Sequence, residues 1–295
     1  MGGRAIGWQA VISVCSPVRL HVAPAHEAVL SWNTFDAQGA IGLRLLRDER
    51  PAGDWFPYAR WSPTDRRSFA AILDGYSVET DIVRADDPFD GVELRVESAD
   101  LRWVTLATPV AHTASAPYRH AARVLDVPRK SQYVVPGQRG WCSPASLAML
   151  HAYHGIDETV ETVAERVYDR AYDGTGNWAF NVAYSGSLGL RATVAYLRNL
   201  DQAHRFIERS IPLAISYSWQ QGELPGAPLE RSDGHLAVLC GFTSTGDCVM
   251  NDPAAPTIAT VYDRKAVETL WQRAGGVAYV IAPNGLPFAD LLEAP

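Results

Sequence analysis

Short runs of alternating apolar and polar residues mark the N-terminal third of the chain. A two-residue period, interrupted by breaks that contain Asp, Pro and Gly, is typical of strands with one buried face. The predicted strands cover residues 40–46, 76–83, 92–96 and 101–108. Several strands at this spacing favour an antiparallel, all-β sandwich-like accessory domain, which we place at residues 1–115.

The rest of the chain changes to a helical pattern. Residues 142–155 predict a helix, because Pro144 suits the first turn and Gly155 suits the C-terminal cap. An Ala-rich stretch at 109–127 precedes this part and is the predicted domain boundary. Helices are also predicted at 158–170, 188–200 and 201–209, and strands at 212–219, 236–242, 248–251 and 277–282. Helices followed by an antiparallel sheet predict an α+β domain at residues 116–295.

Composition and charge narrow the classes of partner. Hydrophobic residues make up 47% and charged residues 20%, which is typical of globular proteins. The formal net charge is −7, and the sequence contains no Lys/Arg cluster that could neutralise a run of phosphates. Nucleic acid is therefore not an expected partner. The longest apolar stretches are shorter than the roughly 20 residues that a membrane-spanning helix requires, so no membrane partner is expected either.

The cysteines and the N-terminus bear on the compartment. Residues 1–16 are a poor signal peptide, since one positive charge precedes a weakly apolar run that Trp8 and Gln9 interrupt. The four cysteines, at positions 15, 142, 240 and 248, show neither CxxC pairs nor the dense spacing of a disulfide-stapled domain. We therefore expect a cytoplasmic protein.

Four aromatic residues occur within residues 54–61 of the predicted accessory domain. Aromatic rings are common in strands and cores, and the simplest interpretation is that these rings cover one edge of the sheet core. The alternative is a stacking surface for a glycan or a peptide. Both interpretations remain open at this point.

Cys142 is the cysteine with a sequence-based reason to be reactive. It lies at the start of a predicted helix, where free N–H groups and the positive end of the helix dipole favour a thiolate. The thiolate form is the nucleophile in cysteine chemistry. The alternative is a buried structural cysteine, which is common at such positions.

His235 and Asp252 provide a candidate base and a group to orient it. His235 precedes an apolar strand, a turn follows at 243–247, and the chain returns towards Asp252. If Phe242 pairs near Cys248, then His235 lies opposite a position near 255 and close to Asp252. A single hairpin would thus hold the imidazole beside its carboxylate, the arrangement that an activated thiol needs. Each residue alone has an ordinary structural interpretation.

Two further features of the sequence are candidate sites. His151 and His154 are three residues apart on the predicted helix, but no third metal ligand accompanies them, and solvent-facing helix histidines are the simpler interpretation. Residues 173–178 are glycine-rich without the order of a phosphate-binding loop, and we interpret them as a loop. No metal and no cofactor is expected.

Several of these residues carry a resemblance to a known family. The segments 127–132 (VPRKSQ), 141–149 (WCSPASLAM), 234–238 (GHLAV) and 251–253 (NDP) resemble those of the C39-like peptidases of the papain superfamily. The resemblance covers about residues 125–283. It implies a papain-like peptidase domain with Cys142 as nucleophile, His235 as general base and acid, and Asp252 as the residue that orients the imidazole.

The resemblance also concerns the oxyanion site and the substrate. Gln132 would donate a hydrogen bond to the oxyanion, and Gln138 is the alternative donor. The family usually has Gly after the cysteine, whereas this chain has Ser143, which would slightly crowd the oxyanion site. The best-known members are leader peptidases fused to exporters, but this sequence has no transmembrane segment and no phosphate-binding GxxxxGK[ST] motif. The implied reaction is therefore hydrolysis of a peptide or protein amide through a thioester, without the exporter role.

Two other functions fit the same residues. One is a catalytically silent papain-like module in which the aromatic N-terminal domain recruits a peptide or glycan, because a fold does not by itself establish an activity. The other keeps the triad and assigns it amidase or transferase chemistry on isopeptides. Labelling by a thiol-reactive probe would distinguish the silent module from an enzyme. Product analysis with added amines would distinguish transferase chemistry from hydrolysis.

Overall fold

The computed structural model describes residues 17–137, 139–255 and 257–292. The expectations for the signal peptide and for Cys15 lie outside these residues, as does Gln138. The chain divides into two compact units. One unit contains the described residues up to Pro109 together with 167–194, and the other contains 110–166 and the described residues from Ala195 onward. The domain boundary at 115/116 stays a prediction.

The described residues form an α+β arrangement of antiparallel sheets and short helices. The strands are β1 (Val18–Thr34), β2 (Gly39–Arg47), β3 (Arg50–Trp61), β4 (Arg66–Ser68), β5 (Ala71–Leu73), β6 (Tyr76–Glu79), β7 (Ile82–Glu97), β8 (Leu101–Ala107), β9 (Arg123–Val124), β10 (Leu190–Tyr196), β11 (Leu213–Trp219), β12 (Ser232–Phe242), β13 (Cys248–Asn251), β14 (Thr260–Tyr262) and β15 (Val277–Pro283). The helices are α1 (Cys142–Tyr153), α2 (Val160–Val167), α3 (Trp178–Ser187), α4 (Leu200–Glu208), α5 (Arg264–Arg273) and α6 (Ala289–Leu292).

The first unit is built on an antiparallel network of β1 to β8. Its main strand order is β4-β3-β2-β7-β1-β8, and β6 pairs with both β5 and β7. One expected strand, 76–83, is wrong as a single element, because it is two strands separated by a turn in which Thr80 has a φ of 60°. The two-layer sandwich stays a prediction, since the described strands of this unit are linked edge to edge in one network.

Helix α3 lies against β1 within the first unit and begins at a buried carboxyl group. Asp81 accepts hydrogen bonds from the backbone N–H groups of Trp178 and Ala179 at 2.5 and 3.2 Å. Asn177 caps the same helix by accepting from the Phe180 N–H at 3.0 Å. The segment interpreted as a loop, 173–178, therefore leads directly into this helix.

Three of the four aromatic residues of segment 54–61 belong to the core of the first unit. Phe56, Tyr58 and Trp61 are buried in its hydrophobic cluster, which agrees with the simplest interpretation of their sequence. The ring of Trp55 is less buried and contacts the guanidinium groups of Arg44 and Arg95, whose Cζ atoms lie 4.7 and 3.9 Å from the ring centroid. Contact of this unit with a glycan or peptide stays a prediction.

The second unit contains the sheet that carries the candidate site. Its strand order is β15-β11-β12-β13-β14, with β9 beside the end of β12. Gly241 is required at that edge, because a Cβ atom there would lie 2.0 Å from the Arg123 carbonyl oxygen. The strands predicted at 212–219, 236–242, 248–251 and 277–282 correspond to β11, β12, β13 and β15.

The helix predicted at 188–200 is wrong. Residues 190–196 form β10, and the division into units falls within this strand, after Val194. Leu190, Ala192, Val194 and Tyr196 alternate along it, and this two-residue period is the pattern of a strand. The helix predicted at 201–209 is confirmed as α4, and that at 158–170 as the shorter α2. In the described part of the chain, no helix has both the length and the apolar character that crossing a bilayer needs.

Candidate active site

Cys142 is the first residue of α1, as the sequence predicts. The N-cap residue, Trp141, provides no side-chain cap, so the first N–H groups of the helix stay available for other acceptors. The backbone N–H groups of Leu236 and Ser143 donate to the Cys142 sulfur and favour its charged form. A half-buried thiol at this position therefore has backbone donors aimed at its negative charge.

His235 lies on β12 in a buried aromatic environment. Its Cα partner on β11 is Tyr217, and its ring meets the Tyr217 ring edge to face with centroids 5.9 Å apart. The Trp219 ring packs against the imidazole in the same way at 5.4 Å. The side chain of His235 is 2% exposed. These two rings exclude water from the imidazole and restrict its rotation.

Asp252 directly follows β13, and its carboxylate accepts three hydrogen bonds. Its Oδ1 accepts from His235 Nε2 at 2.8 Å and from the Ala254 N–H at 2.9 Å. Its Oδ2 accepts from the Tyr262 hydroxyl at 2.9 Å. A carboxylate that accepts several hydrogen bonds stays ionised even when buried, and these partners, with the positive charge of the imidazolium, hold the pKa of Asp252 below its ordinary value despite the opposing effect of burial.

The hairpin that joins the histidine to the aspartate has the predicted pairing at its turn. Phe242 pairs with Cys248 and Gly241 with Val249. An irregularity between Leu239 and Gly241 then shifts the register by one residue, so that Val238 faces Asn251. The Val238–Asn251 pair lies three residues from His235 and next to Asp252. The two strands therefore bring the His235 and Asp252 side chains into hydrogen-bond contact.

The electrostatics couple the thiol to the imidazole. Burial by itself disfavours both charged forms, but the hydrogen bonds of His235 to Asp252 and to the Cys142 sulfur raise the pKa of the imidazole well above its ordinary range. The same hydrogen bond and charge lower the pKa of the Cys142 thiol against the effect of burial. Since Nε2 of His235 faces Asp252, Nδ1 is the ring nitrogen left for the sulfur. The site therefore favours a thiolate–imidazolium pair.

Gln132 lies in a segment that runs beside β12 and β13. The Asn251 amide donates to the Val127 carbonyl oxygen at 2.9 Å, and the Gln132 N–H donates to the Pro253 carbonyl oxygen at 3.0 Å. The Gln132 side chain is buried, and its Oε1 atom has no hydrogen-bond partner among the described residues. The backbone of Gln132 is thus tied to the residue that follows Asp252. Gln138, the alternative oxyanion donor, lies outside the described residues.

Two contacts of the site were not predicted from the sequence. Tyr262 reaches Asp252 from β14, ten positions along the chain, and Trp219 packs on His235 from β11. Trp219 is fixed by its own indole N–H, which donates to the Leu229 carbonyl oxygen at 3.1 Å. Alternation along 213–219 places Tyr217 and Trp219 on one strand face. This pattern in the sequence could have indicated that both rings contact the same residue, His235.

The described cysteines differ in their surroundings. Burial raises the pKa of Cys240 to about 12 and raises that of Cys248 still further. Neither thiol is placed at a helix start, since both lie in strands. Of the cysteines in the described residues, only Cys142 has a lowered pKa.

The interpretation of His151 and His154 as solvent-facing is wrong. His151 is fully buried, with Nδ1 3.0 Å from Glu158 Oε2. His154 is half-buried, with Nε2 3.0 Å from the Ile281 carbonyl oxygen. Both histidines therefore have partners that fix the end of α1 in the second unit.

Ser143, which stands where a glycine is usual, is turned into the protein. Its side chain is buried, and its hydroxyl oxygen lies 3.1 Å from the Tyr279 hydroxyl oxygen. This contact fixes the Ser143 side chain on the buried side of α1, while its backbone N–H faces the Cys142 sulfur. Crowding of the oxyanion site by this serine stays a prediction.

Comparisons with known proteins give a family match and several structural likenesses. A profile of the Peptidase C39-like family matches residues 124–279, more than half of the chain. No curated protein sequence matches. Among solved structures, a C39-like peptidase from Bacillus anthracis has 15% identity and a TM-score of 0.45, and the match covers 56% of this chain and 99% of that one.

Two more solved structures show lower TM-scores. The peptidase domain of ComA from Streptococcus, a bifunctional ABC transporter, has 15% identity and a TM-score of 0.38, with 56% of this chain and 100% of that chain covered. A double-glycine-motif protease from an AMS/PCAT transporter, in complex with its leader peptide, has 18% identity and a TM-score of 0.38, with the same coverage.

Proposed function

Because this chain belongs to the Peptidase C39-like family, we propose that it is a cysteine peptidase with Cys142 as nucleophile, His235 as general base and acid, and Asp252 as the residue that orients the imidazole. The observation that carries the proposal is the position of the His235 ring, which hydrogen-bonds both the Asp252 carboxylate and the Cys142 sulfur. The substrate class is a peptide or protein. No step of this chemistry uses a metal.

In the acylation step, the Cys142 thiolate acts as nucleophile and the His235 imidazolium acts as acid. The Cys142 thiolate attacks the carbonyl carbon of the scissile amide and forms a C–S bond, and the carbonyl oxygen becomes an oxyanion. The His235 imidazolium gives its proton to the leaving nitrogen as the C–N bond breaks. Asp252 keeps the ring oriented during this transfer, because His235 Nε2–H donates a hydrogen bond to Asp252 Oδ1 at 2.8 Å.

Deacylation uses the same groups in the opposite direction. The neutral imidazole takes a proton from water, the hydroxide attacks the thioester carbonyl carbon, and the C–S bond breaks to return the thiolate and release the carboxylic acid. Trp219 and Tyr217 support this step by holding the imidazole in one orientation. The reaction thereby returns the thiolate–imidazolium pair.

Replacement of Gln132 tests the assignment of the oxyanion donor. We expect Gln132→Ala to lower kcat for peptide cleavage by about 100- to 1000-fold, because a lost oxyanion donor costs that much in comparable sites. Labelling of Cys142 by iodoacetamide should persist at the wild-type rate, since the thiolate does not depend on the amide. Steady-state kinetics and labelling rates measured side by side separate the two effects. An unchanged kcat in Gln132→Ala would assign the donor elsewhere, with Gln138→Ala as the comparison.

The pH dependence of cleavage follows from the two shifted groups. The thiolate forms as the pH rises through the lowered pKa of Cys142, and the imidazolium is lost as the pH rises through the raised pKa of His235. We expect a bell-shaped profile of kcat/KM, with its acid limb below 9.0, the ordinary value of the thiol, and its alkaline limb above 6.5, the ordinary value of the imidazole. The two limbs belong to the coupled pair. A profile that only rises towards the pKa of a free thiol contradicts the ion pair.

Cleavage of a mixed peptide library tests the proposed function itself. The full chain is incubated with the library, the products are identified by mass spectrometry, and enzyme pretreated with iodoacetamide serves as the blank. New peptide termini that appear only with untreated enzyme support the peptidase. A repeat with added hydroxylamine or a primary amine separates hydrolysis from acyl transfer. Absence of any cleavage, with peptides retained on the protein, would favour the silent binding module instead.

A further inference from the structure

Three potential ligands converge in the second unit, in residues that the peptidase chemistry does not use. His204 and Glu208 lie four residues apart on α4, and His120 lies in the segment that precedes β9. One ligand atom from each of these residues lies within 4.8 Å of the others. Residues four apart on a helix share a face, so α4 presents an imidazole and a carboxylate together to the ring of His120.

The distances in this cluster differ from those of ordinary hydrogen bonds. Nδ1 of His204 lies 3.7 Å and Nδ1 of His120 lies 3.9 Å from the same oxygen, Oε1 of Glu208. The centroids of the two imidazole rings are 4.1 Å apart. Donors bound tetrahedrally to one zinc ion, with bonds of about 2.0–2.2 Å, lie about 3.4 Å from each other. The two nitrogen–oxygen distances of 3.7 and 3.9 Å are close to this value, and the third pair of ligand atoms lies within 4.8 Å, so small side-chain rotations would bring the three atoms to a common ion.

We propose that His120, His204 and Glu208 form a zinc-binding site. Two imidazoles and one carboxylate are a ligand set that suits Zn²⁺, whereas Mg²⁺ and Ca²⁺ prefer oxygen ligands alone. The side chains of His120 and Glu208 are 50% and 52% exposed, so the fourth coordination position opens to solvent and takes a water molecule. His204 is almost fully buried and forms the fixed base of the site.

Residues around His204 that are not themselves proposed ligands support its role as a metal ligand. Its Nε2 atom lies 3.4 Å from the Tyr118 hydroxyl oxygen, so Nδ1 faces Glu208 with its lone pair when Nε2 carries the proton. A metal-bound histidine commonly donates its other ring N–H to an oxygen, which fixes the tautomer and the ring orientation. The Tyr118 and Phe242 rings, with centroids 5.6 and 5.3 Å from that of His204, hold the imidazole in place.

The charges around the cluster are compatible with a cation. Burial and the neighbouring His120 lower the pKa of His204, and metal ions bind the neutral form of an imidazole. Arg264 is a positive group near His204, and it is paired with Asp201 at 2.7 Å. Among the three proposed ligands, Glu208 is the acidic residue.

The test measures zinc binding to full-length Cys142→Ala protein, so that the proposed catalytic thiol cannot hold the ion. Metal is removed with a chelator, and Zn²⁺ is titrated by isothermal calorimetry into this protein and into versions that also carry His120→Gln or Glu208→Gln. The exposed positions of both residues make these changes compatible with folding. His21→Gln and Glu161→Gln, which replace a histidine and a glutamate of the described chain outside the cluster, are the matched controls.

We expect one Zn²⁺ per chain in the Cys142→Ala protein and in the two controls. In His120→Gln and Glu208→Gln the affinity should fall at least about tenfold, since loss of even an outer partner of a metal site costs 10- to 100-fold. Substitution with Co²⁺ should give visible absorption bands without a thiolate charge-transfer band. Absence of binding, equal affinity in all variants, or a thiolate band would each overturn the site. Because Cys142 is absent throughout, these outcomes are independent of the proposed peptidase activity.

Discussion

Cys142→Ala should lower peptide cleavage by about 10⁵-fold or more, because removal of a nucleophile leaves only the acceleration that binding and the oxyanion site provide. Labelling of the native protein by a thiol-reactive probe should disappear in the same variant. The fold should persist, since alanine suits the start of a helix and the hydroxyl of Ser143 keeps its contact with Tyr279. Cleavage kinetics, intact-mass labelling and circular dichroism measure the three effects.

Cys240→Ala is the matched control for the nucleophile. Cys240 is a buried strand cysteine whose pKa is raised to about 12, so its thiol does not form a thiolate near neutral pH. Labelling and cleavage should match those of the wild type after correction for the loss of stability that removal of a buried sulfur causes. Turnover at the wild-type rate in any Cys142 variant would end the proposal.

His235→Gln should lower cleavage to a similar degree and should also change the thiol itself. Without the imidazole, burial raises the pKa of Cys142 and only the N–H groups of Leu236 and Ser143 oppose it. The rate of alkylation by iodoacetamide should therefore rise with pH only towards 9.0, the ordinary pKa of the thiol, or above. In the wild type, alkylation should reach its plateau at a lower pH.

The comparison of His235→Gln with two controls separates catalysis from folding. His21→Gln changes a histidine of the first unit and should leave both the cleavage rate and the alkylation profile as they are in the wild type. Asp252→Asn keeps an acceptor for His235 Nε2 but removes the charge, so it should give an intermediate rate. An alkylation profile in His235→Gln identical to that of the wild type would show that the imidazole does not act on the thiol.

The parts of the candidate site that the sequence predicts depend on local signals. Pro144 and Gly155 mark the ends of a helix within two residues of its observed bounds, and they place Cys142 at its start. The pairing of Phe242 with Cys248 follows from the length of the turn between two apolar runs. Such signals depend on nearest neighbours and on a single hairpin, so they can be read without knowledge of the rest of the fold.

The parts that were wrong or missed depend on tertiary packing. In residues 188–200, helix-forming residues outweigh a two-residue period that only a neighbouring strand stabilises. The assignment of 167–194 to the first unit depends on contacts between residues far apart in sequence, such as that of Asp81 with Trp178. Tyr262 reaches Asp252 across a strand pairing whose register no local turn specifies.

The backbone of Leu236 hydrogen-bonds two residues of α1, and these bonds affect how the protein loses activity on heating. Its carbonyl oxygen accepts from the Ser146 hydroxyl at 3.1 Å, and its N–H donates to the Cys142 sulfur. These bonds join α1, which bears the thiol, to β12, which bears the imidazole. They do so at Leu236, the residue next to His235. Inactivation should therefore coincide with cooperative melting of the second unit, without an earlier, separate loss of the reactive geometry.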